Sequence, residues 1–111
     1  MMRIALSPAA AGLLRSLLAR TGVDRSRILL TEFRSIDWQS LTFIGERHEL
    51  RLRVPGPDSG EILSRLLTGL DDAEFAIPGH LVADIGVVDQ PRREADGSMT
   101  VALEALTVAE D

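Results

Sequence analysis

The sequence predicts an α+β fold: a two-layer α-β-β-α-β-β sandwich with both helices on one face of a mostly antiparallel four-stranded sheet. Three observations predict it. Apolar stripes at i, i+3, i+4 spacing occur twice, over residues 9–18 and 62–70. Strict two-residue alternation follows the first stripe, with His48, Leu50, Leu52 and Val54 set between Arg47, Glu49, Arg51 and Arg53. An ungapped shift of 53 residues lays Leu13, Leu14 and Leu17 on Leu66, Leu67 and Leu70, and Leu50 on Leu103. The chain therefore reads as a single domain, 1–111, with two α-β-β units at 7–54 and 60–107. A ferredoxin-like βαββαβ arrangement, using residues 2–6 as a short first strand, is the alternative.

Each element has a local reason. Ser7-Pro8 starts a helix, since Ser caps free amides and Pro tolerates the first turn. Gly22 stops it, which gives about 8–21. Residues 27–35 are rich in β-branched and aromatic side chains and read as a strand, with 36–40 either extending it or turning. The alternating strand around 48–54 has one apolar and one charged face and ends at Pro55-Gly56-Pro57. Asp58-Ser59-Gly60-Glu61 has the spacing of a capping box ahead of the second helix. Ile77-Pro78-Gly79-His80 reads as a type II turn. Residues 81–90 form the third strand, 91–98 a polar loop with an Asp96-Gly97 turn, and 99–109 the fourth strand.

Composition removes several functions. The chain has no Cys, so disulfides, thiolate zinc sites and cysteine nucleophiles are out. A formal charge of −5 argues against sequence-specific or general nucleic-acid binding, which needs a basic footprint. All twelve basic residues are Arg, and Lys, Asn and Tyr are absent; a high-GC bacterial or phage genome accounts for this without a functional argument. No apolar run is long enough to span a membrane, and Ser7-Pro8 interrupts the only apolar start, so a cytoplasmic location is expected.

Candidate chemistry is sparse. If the hairpins pair centrally, His48, His80 and Asp84 converge on a metal or act as acid and base, although a half-buried strand His and a turn His account for the pair more simply. Asp71, Asp72 and Glu74 cluster at the end of the second helix, where a solvated loop explains them. Arg47, Arg51 and Arg53 share a strand face broken by Glu49, which fits a solvated face or a subunit contact better than a phosphate site. Trp38 packs into the core, stacks on a ligand or anchors an interface, core packing being the simplest of the three. Arg92 and Arg93 lie in the 91–98 loop and join it as contact candidates. No nucleophile elbow occurs, and 56–60 lacks the Lys of a phosphate loop. No cofactor is implied.

The order of features resembles the tail-terminator (tail-completion) proteins of long-tailed phages and phage-derived gene transfer particles. The likeness runs from Asp37-Trp38-Gln39-Ser40 through Gly45-Glu46-Arg47-His48 and on to Val54. It continues through the second helix to Ala76-Ile77-Pro78-Gly79-His80, then through Arg92-Arg93 to Ser98 and the last strand. The segment 22–26 is shorter than its counterpart in that family. The resemblance implies a ring-forming homo-oligomer, a hexamer in that family, that ends tail-tube growth and contacts other tail or assembly proteins. An acidic pore suits passing DNA without binding it.

The expected function is thus a non-catalytic assembly protein acting through loops 36–46 and 91–98 and the sheet edges, with both helices committed to the core. Two rivals stay open. One is a small dimeric regulatory or ligand-binding domain with a pocket lined by His48 or Trp38. The other is a metal-dependent enzyme using His48 and His80.

Overall fold

The computed structural model describes residues 5–110. Helix α1 spans Pro8–Thr21, strands β1 and β2 span Leu29–Gln39 and Ile44–Val54, helix α2 spans Ser59–Leu67, and β3 and β4 span His80–Arg93 and Met99–Ala109. The four strands form one antiparallel sheet in the order β1-β2-β4-β3. This is the expected α-β-β-α-β-β sandwich. Most of the strand over 2–6 that the ferredoxin-like alternative requires lies outside the described residues.

Local chemistry sets the helix ends. The Ser7 hydroxyl accepts from the Ala10 amide at 3.1 Å, and Gly22 closes α1 in the left-handed region at φ 69°. The second helix departs from expectation at both ends. Asp58 sits at its N-cap with φ 66° and its side chain makes no capping hydrogen bond, so the capping box does not form. An N-cap carboxylate reaches the N2 or N3 amide from extended backbone, and left-handed Asp58 does not provide it. Ser59 donates instead to the Gly97 carbonyl, tying α2 to the β3–β4 turn at 2.9 Å. Helix α2 ends at Leu67, three residues short of Leu70, because Gly69 turns left-handed at φ 69° and Leu70–Asp72 restart as one 3-10 turn.

The fourth strand keeps its expected bounds, the first takes the longer of its two expected forms, and β2 and β3 run longer than expected. β1 begins after a 3-10 turn at Arg25–Arg27, capped by Asp24, and carries through Trp38 to Gln39. The Ser26 amide and hydroxyl hold the Asp24 carboxyl below its ordinary range. β3 extends through Pro91 to Arg93, so only residues 94–98 turn. Proline is tolerated there because β3 is an edge strand and its register with β4 shifts between Asp89 and Arg92. The Ile77–His80 turn is type II as expected: His80 N–H donates to the Ile77 carbonyl at 3.0 Å, and Gly79 takes φ 78°.

The core fills the space between the helices and the inner sheet face. Leu13 and Leu17 from α1 and Ile62, Leu63 and Leu66 from α2 pack on Leu50, Leu52, Val54, Val101, Leu103 and Ile85. Truncating any one of the fully buried leucines here to alanine would cost about 2–5 kcal/mol. In the central β2–β4 pairing Leu50 lies opposite Leu103, the same two residues that the 53-residue shift superposes. Among the described residues no helix covers the outer sheet face.

Candidate functional site

The alternation that buries His48 and Leu50 points Arg47, Glu49, Arg51 and Arg53 outward, and the registers then assemble the outer face in rows. One row reads Glu32, Arg51, Ala102, Asp89; the next reads Arg34, Glu49, Glu104, Gly86. Four oppositely charged pairs form on this face: Arg34 with Glu49 at 2.7 Å, Arg47 with Glu104 at 2.8 Å, Arg51 with Glu32 at 3.4 Å, and Arg53 with Asp96. Glu49 therefore completes a lattice instead of breaking an Arg stripe. Pairs this exposed to water contribute little to stability. They cancel the basic charge that a phosphate surface would need. Asp96 is also bonded by the Ser98 hydroxyl and amide, which with Arg53 hold its carboxyl down to about 2.

Toward the β1–β2 turn apolar residues enter the face, and its last row carries no charge. Ile36, Arg47, Leu106 and Asp84 make one row, and Trp38, Gly45, Val108 and Leu81 make the last. A Cβ on Gly45 would run into the Thr107 carbonyl, so only glycine lets β2 lie this close to β4 beneath Trp38. Trp38 is half-buried, and Ile36 and Leu81 are exposed. Beyond this row the turn presents Leu41, fully solvent-exposed, with Phe43 and Ile44 exposed beside it. The turn is not loose. Ser40 N–H donates to the Phe43 carbonyl at 2.8 Å, and the Ser40 hydroxyl accepts from the Phe43 amide at 3.0 Å.

The histidine set does not assemble. His48 is completely buried on the inner face, with Nδ1 2.7 Å from the Ser35 hydroxyl and Nε2 2.9 Å from the Thr107 hydroxyl. Both ring nitrogens are thus occupied by hydroxyls. Burial pushes the imidazole below its ordinary pKa; Glu46 opposes this shift and His80 adds to it. The ring also meets Phe33 edge-on, with centroids 5.9 Å apart. His80 lies at the start of β3 with Nδ1 3.1 Å from the Pro78 carbonyl. Asp84 faces outward beside Leu106, on the opposite side of the sheet from His48. Among the described residues no group of three or more His, Asp or Glu is arranged to hold a metal ion. No helix in these residues is long and apolar enough to cross a membrane.

Of the contact candidates, Arg47, Arg51 and Arg53 sit within the outer lattice, while Arg92 and Arg93 end β3 as exposed residues. The contact region expected at 36–46 includes Leu41, Phe43 and Ile44, which are not among its expected contact residues. The signal available was an apolar Leu41-Thr42-Phe43-Ile44 run where a turn should be polar.

No family model and no curated protein matches the chain. Among solved structures, it is similar to a chain of the virion of a native gene transfer agent (GTA) particle, with a TM-score of 0.55 and 12% identity over 93% of this chain and 98% of that one. At that identity the likeness establishes a shared fold across nearly the whole length of both chains.

Proposed function

We propose that this protein is a non-catalytic assembly subunit, of the tail-terminator kind, that builds a ring within a phage-derived particle. The observation that carries the reading is the outer sheet face, which no helix covers among the described residues and which passes from a neutralised charge lattice into an apolar end, with Ile36 and Leu81 exposed and Trp38 half-buried, and an exposed apolar turn. Contiguous exposed apolar surface of this kind marks contact sites between macromolecules. The fold shared with a virion chain points the same way, as does the net negative charge, which would keep a DNA-conducting pore from retaining its cargo. Sedimentation velocity across micromolar concentrations, with negative-stain imaging of the product, is the test. Closed rings of one size are expected. A chain that stays monomeric throughout, alone and with tail-tube subunits added, would overturn the proposal.

A further inference from the structure

The second helix is committed to the core, but α1 is not wholly so. Along one flank of α1, Leu6, Ala11, Leu14 and Leu18 line an apolar groove of about 530 Å³ that Val23 closes. Arg15 and Arg25 border it, and neither makes an ion pair among the described residues. Asp24 borders it too, but its carboxylate is turned to its own Ser26 amide at 2.8 Å. Elsewhere in the molecule the β1–β2 turn carries the opposite combination. Leu41, Phe43 and Ile44 are exposed, and Asp37, opposite Glu46 two positions in from the Gln39–Ile44 end of the hairpin, has no cationic partner among the described residues.

We infer that the β1–β2 turn of one copy docks in the α1 groove of a second copy, Leu41 and Phe43 filling the apolar floor while Asp37 meets Arg15 or Arg25. The inference rests on the assembly reading above and names its contact. Three observations support a second copy as the occupant. The charges are complementary, with Arg15 and Arg25 on the groove and Asp37 near the turn all outside any ion pair among the described residues. The turn is held by Ser40 in one shape, so docking costs little ordering entropy. The two surfaces share no residue, so each copy can use both at once. A contact between different patches is heterologous; it propagates from copy to copy and closes into a ring when the rotation permits. A four-residue turn buries less than the roughly 800 Å² per partner of a standard interface, so one isolated contact is weak and ring closure strengthens the whole.

Two variants at exposed positions separate this contact from turn-to-turn and groove-to-groove alternatives, and the size of the wild-type assembly separates a ring from a reciprocal dimer. One damages the turn (Leu41→Asp with Phe43→Asp), the other the groove border (Arg15→Glu with Ala19→Glu). Sedimentation velocity is run on each alone and on an equimolar mixture, at concentrations where the wild type associates, with circular dichroism melts confirming folded chains. Each alone should lose at least tenfold in self-association. The mixture, raised well above the concentration at which the wild type assembles because a single contact lacks the gain of ring closure, should form a 1:1 dimer and stop there, since one intact turn and one intact groove remain. Wild-type association by either variant alone overturns the inference, and so does a mixture of folded chains that stays monomeric. If a variant melts early, Leu41→Ser with Phe43→Ser, or Ala19→Arg alone, takes its place. A wild type that never associates overturns both the contact and the ring reading; an associating wild type with a failed mixture overturns only the contact.

Discussion

At the scale of single residues, His48 shows how a polar group in the core was legible by position but not by purpose. The alternation placed it on the inner face, and it is there. What one strand does not reveal is its neighbours across the sheet: Ser35 lies opposite it on β1, and Thr107 comes from β4, 59 residues away in sequence. Those hydroxyls satisfy both ring nitrogens, so a residue that looked available for chemistry is committed to packing. Its titration has a definite sign. Burial lowers the native pKa, while the unfolded chain's imidazole keeps a value of about 6.5. The unfolded state therefore binds the proton first as pH falls. Stability is fully present above about pH 6.5 and declines below it, until the lowered native pKa is reached. Urea unfolding between pH 5 and 8 should show this decline, and His48→Gln should remove it at some cost in stability. A wild-type curve that rises toward acid would contradict the assignment.

At the scale of elements, the errors fall where backbone conformation overrides side-chain pattern. The Asp58–Glu61 spacing is that of a cap, yet Asp58 lies at φ 66°, a region that penalises a side chain by roughly 1–2 kcal/mol in most residues and less in Asp. Asp58→Gly is thus expected to leave stability unchanged or raise it by about 0.5 kcal/mol, whereas loss of a working cap would cost about 1 kcal/mol. Chemical denaturation midpoints distinguish the two, and a clear loss would restore the cap. The ends of α1 were legible because Ser7 and Gly22 act locally. The length of β3 was not, because Pro91 reads as a strand breaker until the sheet order makes β3 an edge. Trp38 likewise reads as either core or interface from sequence alone. Only the row it forms with Gly45, Val108 and Leu81 puts it on the outer face.

At the scale of the whole molecule, the two α-β-β units share one core, and this decides how the chain should unfold. The hairpins meet along β2 and β4, ten paired positions with Leu50 facing Leu103 at the centre. Beneath that seam α1 and α2 pack against each other and the same apolar cluster: Arg20 on α1 donates to the Leu66 carbonyl at 3.1 Å, and Arg65 on α2 to the Thr21 carbonyl at 3.3 Å. Separating the halves would expose the inner faces of both central strands to water, so neither half has a low-energy state without the other. We therefore expect one all-or-none transition in spite of the internal repetition in pattern. Its enthalpy should be about 75 kcal/mol at a midpoint near 60 °C, from roughly 0.7 kcal/mol per residue. Calorimetry on the Leu41→Asp, Phe43→Asp variant keeps self-association out of the measurement. The calorimetric and van't Hoff enthalpies should agree. Leu50→Ala and Leu103→Ala should each lower the same single midpoint, since each opens a cavity in the shared core worth about 2–5 kcal/mol. Two resolved transitions, or a substitution that shifts only part of the heat absorption, would mean that the halves fold as separate units and that the seam joins them only weakly.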